Sequence, residues 1–371
     1  MIADGLPGSQ PEDAVLTGAR LSSGLHHAGA RPKQRNCFVV LGMHRSGTSA
    51  LALALGLLGV ELPRSRMGGD QWNAAGYAES LAFYSLNERI LSAAGTKWDD
   101  WREINPNWHL LPAAVELRKE AVSTLESEYD AARPFIIKDP RICRLTRFWT
   151  DVFQEAGVTP VFVLPIRNPM EVAASLHHRD GIEPWLSHLL WMHHVIDAEH
   201  ATRGKPRVFT SYDGLMADWR RVAQTIASTL NVPWPRPVNE AAAQIDAMLS
   251  ASRRHHRATL ESLRGNPKSP AGLVELFEIA DHWAREGESF RDYTALDRIR
   301  TEFDRASSAF AGLIGAAEDA MQQARRLEAD LIATRAQLAD REAAIKEHVR
   351  ENMKLRARWP NPIVDWLKRM I

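Results

Sequence analysis

The stretch Phe38-Val-Val-Leu-Gly-Met-His-Arg-Ser-Gly-Thr-Ser-Ala-Leu-Ala52 reads as a buried strand, a glycine-bounded loop and the start of a helix. Such a turn is a phosphate cradle. Glycines at 42 and 47 let the backbone wrap closely, and the N–H groups opening the next helix point at an anion with the helix dipole behind them. A nucleoside triphosphatase loop would read GxxxxGK[ST], with the lysine reaching the β- and γ-phosphates and the hydroxyl holding magnesium. Gly42 and Gly47 keep that spacing, but Thr48 stands at the lysine position and Arg45 is the cation the loop offers. The expected anion is therefore not a magnesium-bound triphosphate.

Working outward, short apolar strands alternate with helices from Cys37 to about Asn231, the pattern of a parallel sheet covered by helices on both faces. Phe135-Ile-Ile-Lys138, Val161-Phe-Val-Leu-Pro-Ile166 and Val208-Phe-Thr210 read as the strands after the first. In such sheets ligands gather beyond the carboxyl ends of the strands, where Arg45, Lys138 and Arg167 would all project. The fold expected is α/β, a P-loop-like parallel sheet flanked by helices, with a C-terminal helical or coiled-coil extension. Its divisions are a tail at 1–36, the α/β domain at 37–236, a helical extension at 237–303, a long helix or coiled coil at 304–358 and a short amphipathic tail at 359–371.

The 371 residues, 45% apolar and 25% charged, suit one large domain plus an appendage. A formal net charge of +0 argues against a general nucleic-acid binder and makes any basic site local. Cys37 and Cys143 give neither metal-ligand spacing nor a disulfide framework, which fits a reducing cytoplasm. The longest apolar run, Ala50 to Val60, is about half the ~20 residues a spanning helix needs, so no transmembrane helix is expected. Residues 1–36, rich in Gly, Ala, Ser and Pro without a basic start and an apolar block, read as a disordered tail and not a signal peptide.

A 3–4 apolar pattern runs through Phe310, Leu313, Ala317, Ala320, Ala324, Leu327, Leu331, Leu338, Ile345 and Leu355, interrupted by Thr334, Arg341, His348 and Asn352. Two readings stay open: a short coiled coil that joins copies or recruits a partner, and a charged helix packed on its own domain. The last segment, Trp359 to Ile371, forms a small amphipathic helix in this reading. Docking onto protein is preferred there over peripheral membrane contact, because it needs no lipid.

Further segments sharpen the loop. Arg167 follows a strand and Ser175 comes eight residues later, a pair suited to a second phosphate. Lys138-Asp-Pro-Arg141 ends another strand, and Asn73-Ala-Ala-Gly-Tyr-Ala-Glu79 offers a carboxylate after a turn. Together, in content and order, these motifs resemble the sulfotransferases that use 3′-phosphoadenosine 5′-phosphosulfate (PAPS), especially bacterial members related to carbohydrate and protein-tyrosine sulfotransferases. The resemblance spans about Phe38 to Asp218, including Tyr212-Asp213, and leaves out the C-terminal third. It implies that Arg45-Ser-Gly-Thr-Ser49 (Arg45, Ser46, Gly47, Thr48 and Ser49) cradles the 5′-phosphosulfate, that Arg167 and Ser175 hold the 3′-phosphate, and that Lys138 lies near the bridging oxygen.

The missing loop lysine then follows from the ligand, since PAPS has no γ-phosphate chain and needs no metal. The implied reaction is in-line attack of an acceptor hydroxyl on sulfur, with adenosine 3′,5′-bisphosphate (PAP) leaving and charge on its oxygen met by loop amides, Arg45, Thr48 and Lys138. Arg45, Lys138 and Glu79 are the implied catalytic set. Glu79 is the first choice of base, with His44 and Asp139 as alternatives. A glycan, glycolipid or small molecule is the implied acceptor. Trp72, Trp98, Trp101 and Trp108, grouped with Asp99-Asp100 before Lys138, mark a candidate acceptor region, although core packing is the default for most tryptophans. The pairs His177-His178 and His193-His194 read as solvated or hydrogen-bonded, since neighbours on a helix point apart and no ligating spacing recurs. Two rivals remain at this level: a P-loop nucleotide or small-molecule kinase, and a non-catalytic scaffold acting through its C-terminal helices.

Overall fold

A computed structural model of the chain describes residues 35–71, 76–105, 107–130, 132–251, 257–358 and 362–371. The expected tail therefore lies outside the described residues except for Arg35 and Asn36, and Asn36 already belongs to the first strand.

Strand β1 (Asn36–Val40) leads through the glycine loop into helix α1 (Thr48–Leu57). Helices α2 (Leu81–Ala93) and α3 (Pro112–Glu128) precede β2 (Phe135–Lys138), which runs into α4 (Ile142–Glu155). Strand β3 (Thr159–Ile166) is followed by α5 (Pro169–Asp180) and α6 (Pro184–Thr202), and β4 (Arg207–Ser211) by α7 (Tyr212–Ala217) and α8 (Trp219–Leu230). The remainder is helical: α9 (Val238–Ala251), α10 (Leu260–Arg264), α11 (Leu273–Glu286), α12 (Tyr293–Arg358) and α13 (Pro362–Lys368).

The four strands form one parallel sheet in the order β2-β1-β3-β4, with Val40 paired to Lys138 on one side and to Val163 on the other. Period-two alternation divides their side chains between two cores. Cys37, Val39, Phe135, Ile137, Phe162, Leu164 and Phe209 face one layer, whereas Phe38, Val40, Ile136, Val161, Val163 and Val208 face the other. Burial on both sides explains why β1 is an unbroken apolar run.

Residues on both sides of the 236/237 division share the cores of the sheet. Helix α9 supplies Ala241, Ile245 and Leu249 to the same core as α1, and α11 packs on β3 and β4 through Leu276, Phe277 and Trp283. The division at 303/304 falls inside α12, whose first turns bury Leu296, Ile299 and Phe303 in the sheet's core. These helices carry no strand signal because they are outer layers of the sheet, and the sequence offers no periodicity that tells a covering helix from a separate one. Of the two readings of the long helix, packing on its own domain holds only for its start. Beyond about residue 315 the described side chains of α12 stand in solvent, and those of α13, including Trp366 and Leu367, do so as well. Among the described residues, no helix is long and apolar enough to cross a membrane.

Candidate functional site

The strand order places the site. From β1 the chain crosses to β2 on one side and then returns to β3 on the other, so the loops after β1 and β3 flank the crevice where the order reverses. Those loops carry Arg45 and Arg167.

The β1 loop closes through a hydrogen bond from Ser46 N to Met43 O (3.1 Å), with Arg45 at φ 66° and Gly47 at φ 82°. At Gly47 a Cβ would lie 2.3 Å from Tyr212 Cδ2, and at Gly42 it would lie 2.9 Å from Thr48 Cγ2. Both glycines are required by space, and Gly47 also by its left-handed conformation. Among the described residues, helix α1 has no side-chain cap at its N-terminus and no acidic residue in its first turn to meet its opening amides. Ser46 Oγ is buried and, among the described residues, has no hydrogen-bond partner. Together these features fit an anion in the cradle.

Two clusters border that loop. In the first, Arg45 Nε donates to Ser175 Oγ at 2.8 Å, and Arg167 Nη1 donates to the Arg45 carbonyl at 2.8 Å. Arg167 is itself fixed on three sides, by Glu171 at 2.9 Å, by the Arg45 carbonyl and by the Tyr212 ring 4.4 Å below its guanidinium. Asn168 caps α5 through Met170 N, which sets the helix that carries Ser175. Arg45 is held below the usual guanidinium range by burial, then by the positive charges of Arg179 and Arg167. Like charges gathered this closely favour an anion between them. Arg45, expected at the 5′-phosphosulfate, thus lies with the pair expected for the second phosphate.

In the second cluster, Lys138 at the end of β2 forms a buried ion pair with Glu79 and donates to Ser49 Oγ at 3.2 Å. Burial pushes the Glu79 carboxyl up, against the pull of the Lys138 ammonium. Lys138, Glu79 and Ser49, far apart in sequence, therefore meet at one edge of the loop.

The two alternative bases differ from Glu79. Asp139 accepts from Asn87 Nδ2 at 2.9 Å and from Arg141 N and Nη1 at 3.0 and 2.9 Å, so both its oxygens are occupied in holding the Lys138-Asp-Pro-Arg141 turn. His44 lies against Trp98, ring centroids 4.7 Å apart, with its affinity for a proton driven well down by burial and by neighbouring cations. Its Nε2 is buried without a partner among the described residues.

Among the described tryptophans of that group, Trp98 reaches the loop through His44. Trp101 packs on Phe303 and Trp108 on Phe148 in the core, and Trp72 lies outside the described residues. His193 pairs with Asp197 at 3.1 Å, and no group of three potential metal ligands occurs among the described residues. Sequence reasoning missed Glu171, which holds Arg167 from one helical turn away, and Arg179, whose charge reaches Arg45. The four-residue spacing from Arg167 to Glu171 was a usable signal for the first. A cavity of 440 Å³ between α4, α6 and the start of α12, lined in part by Arg144, His193, Asp197 and Asp304, shares no residue with either cluster.

Fold and loop define an α/β protein with a parallel sheet and a glycine-bounded loop at its switch point. No family profile and no curated protein matches the chain. Among solved structures, it is similar to the sulfotransferase domain of the Synechococcus PCC 7002 olefin synthase (15% identity, TM-score 0.35, covering 67% of this chain and 98% of that one). It is also similar to the sulfotransferase domain of the curacin biosynthetic pathway (14%, 0.35, 72% and 97%) and to sulfotransferase STF1 of Mycobacterium tuberculosis (14%, 0.34, 66% and 77%). At such identities and TM-scores, what the chain does rests on its own residues.

Proposed function

We propose that the protein transfers a sulfuryl group from PAPS to a hydroxyl-bearing acceptor such as a glycan, glycolipid or small molecule. The observation that carries this reading is the pair of clusters on one loop: Arg45, Ser175 and Arg167 on one side, and Lys138, Glu79 and Ser49 on the other. A ligand with two separated phosphate-type groups suits two cation-bearing clusters, one of arginines and one where Lys138 is paired with Glu79, better than a linear triphosphate does, and the loop has no lysine to follow such a chain.

In this reading the α1 amides, Ser46 and Ser49 receive the 5′-phosphosulfate, and Arg45, Arg167 and Ser175 receive the 3′-phosphate. The acceptor oxygen attacks sulfur, the bond from sulfur to the bridging oxygen breaks, and Lys138 stabilises the charge left on that oxygen. The acceptor proton passes to Glu79. Burial of the carboxyl raises its basicity for that step, and Lys138 orients it. Trp98 and His44 offer the acceptor an aromatic wall beside the loop.

Binding tests this directly. PAP should raise the unfolding temperature without magnesium, and Arg45→Ala should weaken that binding by roughly ten- to a hundredfold, the worth of one charge-assisted hydrogen bond of about 1.5–3 kcal/mol. Stabilisation by ATP only with magnesium, and none by PAP, would overturn the proposal. Transfer of labelled sulfate from PAPS to glycan and lipid extracts would then identify the acceptor.

A further inference from the structure

Helix α12 leaves the body near Gly315, where an added Cβ would meet Arg102 Nη1 at 3.2 Å, and Ile314 is the last of its residues packed on the core. From there to residue 358 it continues for roughly 65 Å at ~1.5 Å per residue. Along this free length Leu327, Leu331, Leu338, Ile345 and Leu355 are each at least half exposed. Leucines this exposed, repeating along one side of a helix whose described side chains stand in solvent, call for a partner.

The seam follows one heptad register without a skip. Phe310, Ala317, Ala324, Leu331, Leu338, Ile345 and Asn352 fall at a, and Leu313, Ala320, Leu327, Thr334, Arg341, His348 and Leu355 at d. The residues beside the seam say which partner fits. In a parallel pair of identical helices, g of one chain faces the following e of the other. That alignment pairs Asp330 with Arg335 and Glu351 with Arg356, as well as Ala316 with Met321 and Ala344 with Val349. At these flanking positions it opposes no like charges, whereas in the seam Arg341 at d faces its own copy. An antiparallel pair over the same length sets e against e, bringing Arg335 to its own copy and Glu328 to Glu342. The single Asn at an a position, Asn352, is the device that favours two strands in register, because it bonds its counterpart only when the chains are aligned. Arg341 at d can direct its guanidinium outward to Glu342 of the second copy.

We propose that residues 316–358 pair with the same residues of a second copy in a parallel, in-register, two-stranded coiled coil that holds two α/β bodies together at its N-terminal end. The pairing is independent of sulfuryl transfer and would stand if that activity failed. Sedimentation equilibrium of the full chain should give twice 41.6 kDa, and Leu331→Asp should return the single mass with the body still folded by near-ultraviolet circular dichroism. Leu355→Cys should form a disulfide-linked dimer on mild oxidation, because only parallel chains bring the two copies of this site together. A monomer in the unmodified protein, a trimer or tetramer, or a dimer that Leu355→Cys fails to cross-link would each overturn the proposal.

Discussion

Gly47 joins backbone conformation, packing and ligand position in one residue. Its φ of 82° and the 2.3 Å that would separate a new Cβ from Tyr212 make Gly47→Ala costly twice over, through backbone strain and through displacement of the ring on which Arg167 rests. The substitution should destabilise the fold by about 1–3 kcal/mol and weaken PAP binding at least tenfold, as denaturant unfolding and calorimetry would show. Glu79 answers to a different measurement. Acting as base it must be ionised, and its raised affinity for protons moves the acid limb of kcat/KM above 4.5, the ordinary value for its carboxyl. Glu79→Gln keeps the size and should cut the rate by about 10²–10⁴ while leaving PAP binding intact. Unchanged turnover in that variant would remove Glu79 from the chemistry. Gly42, Gly47, Arg45 and Lys138 were legible in the sequence because each is tied to a loop or strand end. The Arg45 to Ser175 contact was not, since it depends on how α5 leans toward the β1 loop.

Among the elements, α6 carries the clearest consequence of burial. The pair His193-His194 suggested solvated or hydrogen-bonded rings, and both are buried, with His194 bonded through Nδ1 to the Leu190 carbonyl at 2.7 Å. Burial pushes His194 down to about 3. Unfolded, it titrates near 6.5. Between those values the unfolded chain takes up a proton that the folded one refuses, so this contribution to stability is whole above pH 6.5 and declines as pH falls through the window. The slope approaches about 1.4 kcal/mol per pH unit for one such group. His194→Asn, which retains a hydrogen-bonding amide, should flatten unfolding free energy between about pH 6 and pH 4.5 by that amount. An unaltered slope would mean that another group, such as His44 with its like shift, governs acid sensitivity. The depth of α6 could not be read from its pattern, because polar residues such as His188, His193, His194 and Glu199 are spread among its apolar ones, yet they are buried with them where the helix meets α4 and α5.

For the molecule as a whole, the alternation of strands and helices was enough to give a parallel sheet with the glycine loop at the carboxyl ends of its strands. What the sequence concealed was the extent of the body, because no pattern around the 236/237 division shows that the chain turns back there so that α9 covers α1. Truncation separates the two descriptions. Ending the chain after residue 236 strips Ala241, Ile245, Leu276, Phe277, Trp283, Ile299 and Phe303 from the two cores. At about 1.5–3 kcal/mol for each large side chain, that loss is as large as the ~5–15 kcal/mol that holds a typical domain folded. The shortened chain should be insoluble or molten by near-ultraviolet circular dichroism. Ending it instead after Gly315 removes only the exposed length of α12 and α13, so the product should unfold cooperatively within a few degrees of a monomeric full-length variant. A well-folded product ending at residue 236 would restore the division between an α/β domain at 37–236 and a helical extension after it.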